Sequence, residues 1–318
     1  MTIMKQDMKN IGHGAERGFS IVEMMISITI GLVIIAALTG VLASNSRSSK
    51  TNERTAELQS NGRYALDHLK RELRHAGYRG YTWADPAPPA GAIAVTGGIT
   101  ECGGAGSGFV QNIRQGVWGA NDSNPFPGDC ASSGYLRGDM LVIRRAANQP
   151  ATALAANTFY FRSTYSSGAV FQGTVVPATV AGTPIASFAL QEYVYYIGSD
   201  DADATVPALR RIALQPDGSL ADEMVVSGIE HLQMQYGIAT TDLNTQYYDA
   251  NAIIGTSTDT AMTDWDNVNS VRIWLLARNA KAENGYANTS TYMMGDQAYT
   301  VNDSFRRQLF TTVVQLRN

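Results

Sequence analysis

From Phe19 to Ala43 the chain reads FSIVEMMISITIGLVIIAALTGVLA, 25 residues with a single charge, Glu23. As a helix this run would be about 37 Å long at about 1.5 Å per residue, enough to cross a hydrocarbon core of about 30 Å. It is apolar all round, so it lacks the one-sided stripe of a helix on a soluble core. A secretory signal peptide ending at Val41-Leu42-Ala43 would carry an apolar region of only about 7–15 residues. A plain membrane anchor accounts for the length but not for the residues in front of the run. Lys5, Lys9 and Arg17 precede it, and Arg47, Lys50 and Arg54 follow it. Without an asymmetry in basic residues, charge gives no orientation across a membrane.

The rest of the chain limits the alternatives. The 318 residues are 44% hydrophobic, enough for one large or two smaller domains and too much for a disordered chain. The net charge of −4 gives no support to nucleic-acid binding. Two cysteines exclude a four-thiolate metal site, and His13, His68, His75 and His231 are few for a His-rich centre.

The residues before the apolar run set its meaning. A short basic segment ends in Arg17-Gly18, then come Phe19 and, four residues later, Glu23, followed by Ser27 to Ala43 without a charge. This register resembles the N-terminus of type IV prepilins. The resemblance implies that a prepilin peptidase cleaves between Gly18 and Phe19 and methylates the new amine of Phe19. It also implies an inner-membrane protein with its head in the periplasm. Glu23 lies in the first turn of the helix, where the dipole favours an anion. A carboxylate in lipid needs a partner, and the positive N-terminus of an adjacent subunit could supply it. Glu23 is therefore expected to be a subunit-assembly contact.

The helical pattern continues beyond the apolar run. Leu58, Gly62, Ala65 with Leu66, Leu69, Leu73 and Ala76 recur every three or four residues, with charged residues expected on the other face. Asp67 and Arg71 stand at a favourable i,i+4 spacing, and Gly77 is a stop signal. Gly31 and Gly40 lower helix propensity within the apolar half. Residues 84–134 hold 11 glycines and 5 prolines and read as a long loop region with few strands. Strands are expected at Met140–Arg145, Thr158–Arg162, Glu192–Ile197, Leu209–Leu214, Ile229–Tyr236, Val271–Arg278 and Gln308–Leu316. Pro216-Asp217-Gly218 marks a turn.

The expected fold is α+β and pilin-like: a long N-terminal helix, membrane-spanning in its first half, packed on a mainly antiparallel β head. The expected divisions are a leader at 1–18, a transmembrane and fibre-core helix at 19–43, an amphipathic half of the same helix at 44–77, and a head at 78–318. In an oxidising periplasm Cys102 and Cys130 would close a loop, the alternative being two free buried thiols.

Gly62 to Leu66 (GRYAL) with Arg71 to Tyr78 (RELRHAGY), the segment from Trp265 to Asn279, and the closing FRRQLFTTVVQLRN from Phe305 to Asn318 resemble PilW-type minor pilins. Type II secretion pseudopilin J shares the general plan. The mature chain would have 318 − 18 = 300 residues. The resemblance implies a structural subunit that joins other minor pilins and the major pilin, helps prime fibre assembly near the tip, and can accompany a tip adhesin. Such fibres serve motility, adhesion or DNA uptake.

Chemistry is sparse. There is no P-loop pattern, and Gly104-Ala105-Gly106-Ser107-Gly108 has neither serine-elbow nor dinucleotide spacing. Asp200, Asp201 and Asp203 lack the regular series and downstream Glu of a calcium loop. His231 beside Glu230, and His68 and His75 near Glu72, are expected to be structural or at the surface. Tyr193, Tyr195 and Tyr236 are expected to pack on a sheet. No catalytic residue, cofactor or metal is expected. The alternative class is a membrane-anchored periplasmic enzyme or carbohydrate-binding module, which a pocket with converging polar groups would favour.

Overall fold

A computed structural model describes residues 18–87, 102, 112–126, 130, 134–239, 244–259 and 262–316. The leader residues 1–17, with His13, and the Gly104–Gly108 run lie outside the described residues. The chain divides into two units, one ending at Glu53 and one running from Arg54. Helix α1, Ile21–His75, begins in the first and ends in the second.

In the first unit the apolar side chains of α1 face outward around the whole circumference, from Ile21 to Leu42. No core within the unit covers them. The hydroxyls on this stretch are turned back onto the helix: Ser27 Oγ donates to the Glu23 carbonyl at 2.8 Å, Thr29 Oγ1 to Ile26 at 2.8 Å and Thr39 Oγ1 to Ala36 at 2.9 Å. In lipid, where no water can pair them, this satisfies each polar group internally.

In the second unit, α1 buries Leu58, Gly62, Ala65, His68, Leu69, Glu72 and Leu73. The expected apolar stripe is present, except that Leu66 is only half-buried. His68, expected to be structural or at the surface, is buried as well, and so is Glu72, a charged residue expected on the other face. Each has a partner on the head: His68 Nε2 lies 3.0 Å from the Tyr195 hydroxyl, and Glu72 Oε2 accepts from Arg145 Nε at 3.1 Å and Nη2 at 2.9 Å. Asp67 pairs with Lys70 at 3.5 Å rather than with Arg71. Gly77 ends the helix at φ 75°, a conformation that costs glycine little, and its N–H donates to the Arg144 carbonyl at 2.9 Å.

The strands are β1 Val117–Ala120, β2 Arg137–Ala146, β3 Phe159–Ser163, β4 Gly168–Gln172, β5 Ala186–Ser199, β6 Pro207–Leu214, β7 Leu220–Ser227, β8 Ile229–Ala239, β9 Thr245–Tyr248, β10 Val268–Arg278, β11 Thr291–Met294, β12 Gln297–Thr300 and β13 Arg307–Gln315. A seven-stranded sheet runs β1-β2-β5-β3-β4, with β6 on β5 and β7 on β6. A second sheet runs β13-β10-β8-β9, and β11 pairs β12. All of these strand pairs are antiparallel. The seven expected strands coincide with β2, β3, β5, β6, β8, β10 and β13, with Thr158 and Leu316 just outside.

The core gathers Leu69 and Leu73 of α1 with Met140, Val142, Val194, Tyr195, Leu232, Tyr236 and Ile273 of the two sheets. Asp139, fully buried on β2, accepts from the Met234 N–H of β8 at 2.6 Å and from the Asp122 N–H at 3.1 Å. This bridges the two sheets. Pro216-Asp217-Gly218 forms the expected turn between β6 and β7, with Gly218 at φ 81°. Within the loop region β1 adds a short edge to β2, and Cys102 and Cys130, both buried, are joined as a disulfide with Cα atoms 5.0 Å apart.

Candidate functional site

The residues singled out at the N-terminus share one short segment. Gly18, Phe19 and Ser20 precede α1 and are exposed, with Phe19 80% exposed. A side chain added at Gly18 would meet nothing within 4 Å. The Ser20 carbonyl accepts the Met24 N–H at 3.1 Å, so helical hydrogen bonding begins immediately after Phe19. Glu23 falls in the first turn, where unpaired N–H groups and the dipole favour an anion. Gly31 and Gly40 have open space where a Cβ would stand, so another helix could approach closely at both positions. The result is an accessible peptide bond followed by an apolar rod with one carboxylate near its end.

The other sequence candidates are held by structure. Asp200 Oδ1 accepts from the Ala202 and Asp203 N–H groups at 2.7 and 3.3 Å, Asp203 Oδ1 accepts from Thr205, and Asp201 pairs with Arg210. The three acids therefore shape a turn. Among the described residues no group of three or more His, Cys, Asp or Glu is arranged to hold a metal ion. Glu230 is buried beneath Arg307 and Arg278, and Arg307 also pairs with Asp303 at 2.7 Å. This network ties the start of β13 to β8. His231 is buried beside the Tyr299 ring, with centroids 5.1 Å apart. His75 Nδ1 lies 2.8 Å from the Arg71 carbonyl at the end of α1. Tyr195 and Tyr236 are core residues, and Tyr193 lies under the Arg211 guanidinium, 4.8 Å from its ring centroid.

Two arrangements were not foreseen. The Glu72–Arg145 pair had a weak trace in the sequence, a glutamate on the i+3 side of the apolar stripe. A cluster of Arg79, Trp83, Asp85, Arg114 and Asp266 had none, because its members come from three separate stretches of the chain, at 79–85, 114 and 266.

Two stretches of the chain match known families. Residues 14–39 match the prokaryotic N-terminal methylation motif, and residues 194–318 match the family of type IV pilus-assembly protein W. A type IV-like pilin from Thermus thermophilus is similar at 14% identity over 83% of this chain and 96% of its own, with a TM-score of 0.35. No curated protein matches. The methylation motif on an outward-facing apolar helix, ahead of a β head, defines the class: type IV pilin-like subunits, anchored by the helix, processed by prepilin peptidase and assembled with other pilins. Within that class the match over residues 194–318, together with the methylation motif, supports a minor pilin of the PilW type.

Proposed function

We propose that the chain is a priming subunit of a type IV pilus. It is cleaved between Gly18 and Phe19, methylated on the Phe19 amine, and held in the inner membrane by residues 19–43 with its head in the periplasm. It then joins other minor pilins in a small complex that starts the fibre and stays near its tip. The observation that carries this reading is the exposed apolar first half of α1 in register with Gly18, Phe19 and Glu23. An uncovered helix of this kind is satisfied by lipid before assembly and by neighbouring helices afterwards. In the assembled state Glu23 faces the amine of an adjacent Phe19. The role is structural, in a fibre that serves motility, adhesion or DNA uptake.

Intact-mass measurement of the protein from cells with and without prepilin peptidase tests the first step. The expected mature species begins at methylated Phe19 only when the peptidase is present. A chain beginning at Ser44, or one left uncut in normal cells, overturns the reading.

A further inference from the structure

A pocket of about 250 Å³ opens on the head where the chain leaves α1. Arg79, Trp83, Asp85, Arg114, Trp265 and Asp266 line it. Arg114 Nε lies 3.5 Å from Asp85 Oδ1 and 3.6 Å from Asp266 Oδ1, and Arg79 Nη1 lies 3.9 Å from Asp85 Oδ1. These separations exceed the about 2.7–2.9 Å of a direct charge-assisted hydrogen bond. They are ion pairs within 4 Å, which set guanidinium donors and carboxylate acceptors side by side along the pocket wall. Two donors of lining residues, Arg79 Nε and Trp265 Nε1, are buried without an acceptor. Trp83 stands at the rim, 74% exposed.

The groups are fixed in advance. Asp266 Oδ2 accepts the Thr263 N–H at 2.7 Å, which leaves Oδ1 toward Arg114. Arg79 Nη1 donates to the Ala84 carbonyl at 3.2 Å. Two guanidiniums and two carboxylates cancel, so the pocket does not select for an ion. An acidic peptide anchor would meet Asp85 and Asp266, and a basic one would meet Arg79 and Arg114. The lining instead alternates donors and acceptors beside a flat aromatic face. That suits a neutral ring whose hydroxyls both donate and accept and whose C–H face is apolar.

We propose that this pocket binds a neutral hexopyranose unit of a glycan. The ring stacks on Trp83, its hydroxyls donate to Asp85 and Asp266, and they accept from Arg79 Nε and the Trp265 indole. This site is separate from the assembly function of α1 and does not depend on it.

The test uses the mature full-length chain in lipid nanodiscs, without glycosidic detergent. Glucose, galactose, mannose, N-acetylglucosamine and the anionic N-acetylneuraminate are titrated while the tryptophan indole N–H resonances are followed. Saturable binding of at least one neutral sugar is expected, with a Kd of about 1 mM and shifts at Trp83 and Trp265. Trp83→Ala should weaken binding about tenfold with an unchanged melting temperature, because Trp83 is exposed. Asp85→Asn should also weaken it, and that side chain is 62% exposed. Absence of saturable binding by every neutral sugar overturns the proposal, as does binding indifferent to both substitutions or confined to N-acetylneuraminate. If sugars fail while Trp83→Ala abolishes capture of another pilin, the face belongs to a protein partner, and the proposal likewise falls.

Discussion

Glu23 and Glu72 are both carboxylates on α1, and they answer to different environments. A charge at the centre of a membrane helix costs about 2.5–3.5 kcal/mol on insertion scales, and Glu23 is exposed in the first turn of α1. Glu23→Ala is therefore expected to leave the head's melting temperature unchanged and to reduce co-purification with other minor pilins and the number of surface fibres. Glu23→Gln keeps the size and removes the charge, so a matching defect would assign the effect to the carboxylate. Normal complexes and normal fibres in both variants would show that Glu23 is no assembly contact. Glu72 has the opposite profile, because it and Arg145 are each only 9% exposed and lie 2.9 Å apart. Glu72→Ala strands a buried guanidinium and is expected to cost about 3–5 kcal/mol in denaturant unfolding. Glu72→Leu combined with Arg145→Met should recover most of that loss, whereas a single variant as stable as the parent would mean the pair contributes nothing.

At the scale of elements, α1 is one helix under two rules. Its first half is apolar on all sides, and its second half follows a stripe interrupted by His68 and Glu72. Gly62 sits on that stripe because β13 approaches closely: an added Cβ would lie 2.1 Å from the Phe310 ring. Cys130, between β1 and β2, is joined to Cys102, ahead of β1. This disulfide joins residues 28 apart, which by loop entropy contributes about 3–4 kcal/mol. The Cys102→Ser, Cys130→Ser double variant is expected to melt lower and to unfold with less denaturant by that margin. Thiols that alkylate in unfolded, unreduced periplasmic protein would rule out the bridge.

The head as a whole couples stability to pH through its buried histidines. Burial, the largest cause in each case, holds His231 and His68 below the ordinary value of 6.5; Asp122 opposes it at His231, where Arg137 adds to it, and Glu72 opposes it at His68. Both rings are then neutral in the fold at pH values where the unfolded chain is already protonated. The unfolded state binds more protons, so their contribution is complete above about 6.5 and is lost as pH falls toward the lowered folded values. Burial raises the Asp139 carboxyl, an effect of the opposite sign. The informative quantity is therefore a difference. Denaturant unfolding between about pH 7.5 and 5 should show a shallower loss for His231→Gln than for the parent, with Asp139 common to both. Parallel curves would mean that His231 does not titrate on unfolding.

The sequence alone determined whatever follows from local, one-dimensional chemistry. The span from Phe19 to Ala43, the register of Gly18, Phe19 and Glu23, the stop at Gly77, the turn at Pro216-Asp217-Gly218 and seven strands all rest on hydrophobic period or on a residue's own backbone preference. Tertiary structure decided the features that depend on distant partners. Strands β1, β4, β9, β11 and β12 are only four or five residues long, and β7 carries Asp222 and Glu223, so none shows a clear apolar alternation. They form because a neighbour supplies the hydrogen bonds. Glu72 looks like a surface residue until Arg145 stands opposite it. Arg79, Asp85, Arg114 and Asp266 come from segments without periodicity, and only the packing of the head brings them to one pocket. A charge is tolerated inside a protein when its counter-charge arrives in three dimensions, and no spacing along one strand or helix records that arrival.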